Sequence, residues 1–321
     1  MEIIDYGKKG FIDLVVVTHS CDDHIYGIKK MATDNHIEQY IKKYWFNSEN
    51  GIAEYLGLED KKTQDYSVED DSIEVVKSRR QYNYDLYQTL KNSTKWNNEI
   101  ICIERSSALK EFLSTILPEI NVEILSPTIQ NLKNLCDYWQ DKQLKKDIKK
   151  SGREKEAAKR SDYQLTICQL QSNLKNYFPD DSKENGSSIA LYFEINSSKF
   201  LLLGDSYSEI IRDALKAKGY SKENKLVIDF MKLSHHGSKN NINDDLLELI
   251  DCRKFVLTAN PEIGVHHHPD KETLVRIINY YGKDNVFFYF NCNNCEIQKI
   301  FENDNFTNYK LADDNLKGIT L

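Results

Sequence analysis

All but one of the eight histidines in this chain fall in three short stretches. The first, Thr18-His-Ser-Cys-Asp-Asp-His24, offers His19, Cys21, Asp23 and His24, side-chain types that bind zinc through nitrogen, sulfur or oxygen. On a tight loop, side chains at alternate positions converge, so this one loop can supply most of a binuclear site. The second stretch is the pair His235-His236, followed by Gly237, which permits an abrupt turn. The third is His266-His267-His268, before Pro269. Between the first two lies Leu201-Leu-Leu-Gly-Asp205, a carboxylate closing an apolar run. Burial there is unfavourable unless a cation or hydrogen bonds compensate it, and such an Asp can bridge two ions. His36 stands among polar neighbours and reads as a surface residue.

These residues need rigid elements to hold them. Ile12–Thr18 is short, β-branched and nearly all apolar, the pattern of a strand buried on both faces, and it runs directly into the His19–His24 loop. Ile25 to about Tyr44 has helical composition, which gives a strand, loop, helix unit. Further strands are expected at Ile100–Ile103, Val122–Leu125, Ile189–Ile195, Lys199–Gly204, Leu226–Leu233 and Lys254–Thr258, with helices at Ser107–Leu117, Ser208–Lys218 and after Pro269. Met231-Lys-Leu-Ser-His-His repeats the pattern of an apolar strand ending in ligands, and implies the same end of the same sheet. Tyr82–Trp96 reads as a solvent-facing helical excursion, Lys142–Arg160 as an exposed charged arm, and Cys292-Asn-Asn-Cys295 as a hairpin turn rather than half a zinc ribbon. The whole is expected to be a single domain over 1–321, with helical or charged insertions at 59–99 and 137–165.

The chain has 321 residues and is 40% hydrophobic, enough to bury a sizeable core. Its apolar runs are far too short to span a bilayer, and seven cysteines, an odd number spread along the chain, suit reduced thiols. A cytoplasmic protein with no membrane partner is expected. A formal net charge of -7 argues against coating nucleic acid by bulk electrostatics and leaves room for a local basic entrance.

THSCDDHIYGI, LLLGDS and KLSHHGSKNN, in this order, resemble the motifs of the metallo-β-lactamase superfamily. They are most similar to the branch that includes the hydrolase domain of the bacterial DNA-uptake channel and many stand-alone proteins of phage-defence cassettes. Asn185-Gly-Ser-Ser-Ile189 and Val265-His-His-His-Pro-Asp270 also resemble that branch, and the motifs extend from Ile12 to about Ile278. The resemblance implies an α/β fold, the αββα sandwich of two mixed sheets flanked by helices. It implies that His19 binds one ion, that Asp23 and His24 bind the other, and that Asp205 bridges both. One of His235 and His236 completes the second site, the choice being open. His268 then faces the substrate as proton donor or phosphate contact, with His266 beside it, and Asp23, Asp205 and His268 carry the chemistry. The implied cofactor is Zn2+, one or two ions, or Mn2+.

Three departures accompany the resemblance. Cys21 stands where the family's first motif has its second histidine, and thiolate is itself a competent ligand. No histidine lies between His36 and His235. Only about a strand's worth of chain precedes Ile12, so the expectation is either an abbreviated start or another element filling that edge, and a partner protein can cover an edge left open there. Simpler roles also exist for these residues: Asp23 and Asp205 as helix caps, His266–His268 as a solvated loop. The reading adopted is a metallohydrolase attacking a phosphodiester of nucleic acid or a nucleotide, with Ser238 and Lys239 as donors to the phosphate, in a setting of antiviral defence. The alternative is a non-catalytic subunit of the same fold that docks to a protein partner of a defence complex.

Overall fold

The computed structural model describes residues 11–58, 74–97, 99–116, 120–140, 162–172, 174, 176–262 and 267–312. Strands β1 (Val15–Val17), β2 (Tyr44–Phe46) and β3 (Trp96–Asn97) form a small parallel sheet. Seven strands form the main sheet: β4 (Ile120–Ser126), β5 (Ala190–Ile195), β6 (Ser198–Leu202), β8 (Phe230–Lys232), β10 (Lys254–Leu257), β11 (Phe287–Phe290) and β12 (Tyr309–Leu311). Their spatial order is β12-β11-β10-β8-β6-β5-β4, and β7 (Leu226–Val227) pairs separately with β9 (Ile250–Asp251). The longer helices are α1 (Asp22–Thr33), α2 (Glu74–Leu90), α3 (Ser106–Ile116), α4 (Ile129–Gln140), α5 (Ser208–Ala217) and α6 (Lys271–Tyr281).

Period-two alternation sets the layers. In the small sheet, Val15, Val17, Tyr44 and Phe46 pack with Ile25 of α1 and with Leu86 and Leu90 of α2. Their neighbours Val16 and Trp45 face the other way and pack with Ile124 of β4 and Leu191 of β5. On the far side of the main sheet, Ala190, Leu201, Met231 and Phe255 pack with Ile211 and Leu215 of α5 and with Leu274 and Ile277 of α6. The layers therefore run helix, sheet, sheet, helix, a mixed α/β sandwich.

In the main sheet, β5 is antiparallel to both β4 and β6, while β6, β8, β10, β11 and β12 are mutually parallel. The β5–β6 hairpin turns through Asn196 and Ser197, both at positive φ (48° and 66°), the backbone that matches strand twist in a two-residue loop. Parallel neighbours end on the same edge, so the segments leaving β6, β8 and β10 converge there. The end of β1 joins them through a hydrogen bond from Ile189 N to Thr18 O of 2.9 Å.

Several expected elements differ. Ile100–Ile103 is no strand: the Asn47 side chain donates to Ile101 O and accepts from Ile101 N, both at 2.8 Å, satisfying that backbone without a ladder. The helix expected to reach Tyr44 ends at Thr33, because β2 takes Tyr44 into the small sheet. Tyr82–Trp96 is not a peripheral excursion, since Leu86 and Leu90 are buried against α1 and Trp96 enters β3. Leu226–Leu233 splits into β7 and β8. Cys292–Cys295 lies on the connection between parallel β11 and β12, so it is not a hairpin turn. Most of the expected insertions, at 59–73 and 141–161, lie outside the described residues. None of the seven cysteines is in a disulfide.

Candidate metal centre

β1 ends at Val17, and the next seven residues carry the first ligands. Cys21 holds the position before α1, so Asp23 and His24 lie in the helix's first turn. Thr18 organises the group: its hydroxyl meets His19 Nδ1 at 3.1 Å and His24 Nδ1 at 3.0 Å. Ser188 Oγ adds a 3.4 Å contact to His19 Nδ1 and accepts from Asp205 N at 2.9 Å. With both Nδ1 atoms occupied, both Nε2 atoms are free to point the other way. They point at Asp205 Oδ2, at 3.7 Å from His19 and 3.3 Å from His24.

Asp205 reaches this place through Gly204, whose φ is +54° and whose added Cβ would lie 2.4 Å from Ser188 Oγ. A side chain there would meet both an unfavourable backbone region and a direct clash. On the next strand the chain turns sharply at His235 and His236, which hold left-handed backbone at φ 45° and 56°. Such conformations carry strain in non-glycine residues and persist only where surrounding contacts enforce them. Here His235 N donates to Gly204 O at 3.0 Å, and Gly237 allows Pro269 within 2.8 Å of where a Cβ would sit.

The turn sends the two histidines to different partners. His236 Nδ1 donates to the carbonyl of Thr258, which can only accept, so the Nε2 lone pair faces the cluster. That Nε2 lies 2.9 Å from Asp23 Oδ2, 3.3 Å from His24 Nε2 and 3.9 Å from Asp205 Oδ2. His235 instead places Nδ1 against Asp180 Oδ2 (3.3 Å), Asn185 Nδ2 (3.2 Å) and Asn241 Oδ1 (3.1 Å). Its ring stacks edge-on to His268, with centroids 5.0 Å apart.

Two overlapping groups that could hold a metal ion result: His19, His24 and Asp205, and Asp23, His24 and His236, with donor atoms within 4.8 Å in each. Burial pushes the His19 imidazole down to about 3, helped by His24 and opposed by Asp205, so it is neutral at ordinary pH. Burial works to raise the Asp205 carboxyl, but His19 and His24 outweigh it and hold the group well below the usual range. The exposed Asp23 is also lowered: burial opposes, and the His236 hydrogen bond and the His24 and His236 charges prevail. His236 is raised, because Asp23 and Asp205 overcome the effect of burial. Beneath the site, burial lowers the Lys232 ammonium, which donates to Leu233 O and Gly204 O.

The donor set fits a cation. His19 Nε2 and Asp205 Oδ1 are buried and have no hydrogen-bond partner. Leaving such groups unsatisfied costs about 1–3 kcal/mol each, more when charged. Imidazole nitrogens and carboxylates meeting at one point are the ligands zinc or manganese takes.

Other expected residues lie elsewhere. Cys21 is in neither ligand group, and its thiol is 3.9 Å from Asn185 Oδ1. Lys239 pairs with Glu272 at 3.1 Å, and Ser238 is buried, its hydroxyl 3.3 Å from Asn240 N. His268 sits beside His235, with Nδ1 3.4 Å from Asp270 Oδ2. His266 lies outside the described residues. Thr18, Thr258 and Asp180, which orient the histidines, do not stand out in the sequence. Thr18 immediately precedes His19, so adjacency was the one available signal.

No family model matches the chain. It is similar to ComE operon protein 3 of Bacillus subtilis (strain 168), 26% identical over 143 residues. That match covers 44% of this chain and 18% of the other protein, so the chain spans less than a fifth of the relative's length. Among the described residues, no helix is long and apolar enough to cross a membrane.

Proposed function

We propose that this chain is a metal-dependent hydrolase of the metallo-β-lactamase type, acting on a phosphodiester of nucleic acid or a nucleotide. One observation carries the reading: His19, His24, His236, Asp23 and Asp205 converge from three separate segments, with buried His19 Nε2 and Asp205 Oδ1 unpartnered at the centre. The partial similarity to ComE operon protein 3 supports it, since the motif resemblance points to the DNA-uptake branch. Assignment to the cytoplasm and to antiviral defence rests on the sequence reading alone.

Asp23, His24 and His236 would hold one ion and His19 with Asp205 a second, the single Nε2 lone pair of His24 serving one ion at a time. Zinc or manganese bound there supplies Lewis acidity, lowering the pKa of water towards neutrality and polarising the bond under attack. The chain's own residues do the rest. Thr18 and Thr258 fix the imidazoles with Nε2 inward, so little reorganisation is needed on binding. Asp180 orients His235, which with His268 forms a polar wall beside the cluster, where His268 would hand a proton to the leaving group.

The docking alternative is favoured by one observation, the position of Cys21 outside both ligand groups, which leaves three side chains in the first. The test between the two is turnover. Zinc- or manganese-loaded protein should hydrolyse a generic phosphodiester, lose that activity to chelator and regain it on readdition. Metal-loaded protein without turnover on any phosphodiester would favour the docking subunit.

A further inference from the structure

A pair of tyrosines stands next to the cluster of histidines and carboxylates. Asp23 and Tyr26 are three residues apart on α1, so they share a face about 4.5 Å apart along the axis. Tyr82, from α2, meets Tyr26 with ring centroids 5.2 Å apart and planes tilted by 49°. Together with Asp22 and Asp23 the two rings line one open cleft, of about 330 Å³. Tyr26 is 43% exposed, so its ring can be reached from solvent.

The cations around the pair are placed to match an anion. Lys30 Nζ lies 4.4 Å from the Tyr26 ring centroid, and Lys29 Nζ lies 5.1 Å from that of Tyr82. Lys30 is on the surface, while Lys29 also pairs with Asp85. The platform is built in rather than incidental. Asn83, next to Tyr82 and 1% exposed, donates to Ser20 Oγ at 2.6 Å and accepts from Glu49 N at 3.0 Å. Through Asn83, α2 is locked to the same loop that carries His19 and His24.

We infer that Tyr26 and Tyr82 form a stacking platform for a nucleobase of the substrate, with the exposed Lys30 neutralising the adjoining phosphate. This deepens the proposed phosphodiester reading and rests on it. A flat ring presented beside a cluster that acts on phosphorus matches a nucleotide unit, whose base and phosphate are a few ångströms apart. Aromatic–base stacking is sequence-tolerant, because every base has a π-face, and the exposed Lys30 swings from ring to phosphate as the base arrives. Asp22 and Asp23, which also line the cleft, disfavour bare phosphate there and favour the base, not the phosphate, against the rings.

The test is equilibrium binding to zinc-loaded protein, followed by fluorescence anisotropy. The probe is a labelled oligothymidylate with uncleavable phosphorothioate linkages, compared with a base-free strand of equal length and charge. The base-bearing strand should bind about tenfold tighter or more, the size of one stacked base. Tyr26→Leu and Tyr82→Leu should each remove most of that preference, and Tyr26→Phe should keep it. Thymidine monophosphate as competitor separates the two sources of the base. Competition at comparable concentration identifies free nucleotides, and weak competition identifies a strand. Equal binding of the two strands, no binding of either, or a full preference in exposed Tyr26→Leu would overturn the inference. Zinc content, measured on the same samples, keeps the two readings apart. Zinc bound without base preference sinks the platform alone, whereas base preference in protein that takes up no zinc supports the platform and removes the hydrolase.

Discussion

Asp23 and His236 are 213 residues apart in the chain, yet Asp23 Oδ2 and His236 Nε2 lie 2.9 Å apart. The adjacent His235 turns away to Asp180, so the pair that the sequence leaves equivalent is divided by the backbone. Mutation should separate them. His236→Ala is expected to weaken zinc binding by at least tenfold, while His235→Ala should leave it within a few-fold, as measured by competition with a chromophoric chelator. The reverse order would mean that the turn is set differently when metal is bound.

Thr18 gives a finer test, because its hydroxyl touches both His19 and His24. Thr18→Val keeps the shape and removes that hydroxyl. Loss of such an orienting partner typically weakens metal affinity about 10–100-fold. Thr18→Ser should restore binding, which a merely structural role would not require.

Cys21 offers the complementary case. Its thiol is outside both ligand groups, so Cys21→Ala should leave zinc stoichiometry unchanged, while Asp205→Ala should lose metal. Equal losses in the two variants would place the thiol among the ligands after all.

Acid should weaken the metal-free protein in a definite window. Burial holds His19 down to about 3 from an ordinary 6.5. Between those values the unfolded chain binds a proton at His19 that the folded chain refuses, so this group's contribution to stability falls as pH drops from 6.5 towards 3. Urea unfolding of chelator-treated protein at about pH 7 and pH 4.5 should therefore show a larger acid loss in wild type than in His19→Asn. The difference would be about 2–3 kcal/mol. An equal loss in both would remove buried, neutral His19 as the cause.

Much of the candidate site was legible because the histidines and carboxylates cluster where apolar strands end. Val15–Val17, Phe200–Leu202 and Phe230–Lys232 are all recognisable apolar runs, and the histidines and Asp205 follow them directly. What escaped depends on contacts between distant residues. Nothing local in Ile100–Ile103 discloses that the Asn47 amide takes the place of a strand partner. Asp180 is an unremarkable loop carboxylate until the fold brings it to His235, whose hydrogen bond, with that of Asn185, holds the acid below its usual range against burial. Lys239, read as a phosphate donor, is taken up by Glu272 of α6, a partner 33 residues away. Tyr82 was hidden by the polar stretch around it, and its importance comes from α2 packing on α1.

The central claim is that the converging histidines and carboxylates hold catalytic metal. Its most direct test is elemental analysis of protein purified without chelator or affinity-tag metal, beside Asp205→Ala, with phosphodiester hydrolysis followed on the same samples. The expected result is one to two equivalents of zinc or manganese in wild type, lost in the variant together with turnover. Wild-type protein that contains no metal, takes none up and hydrolyses nothing would contradict it.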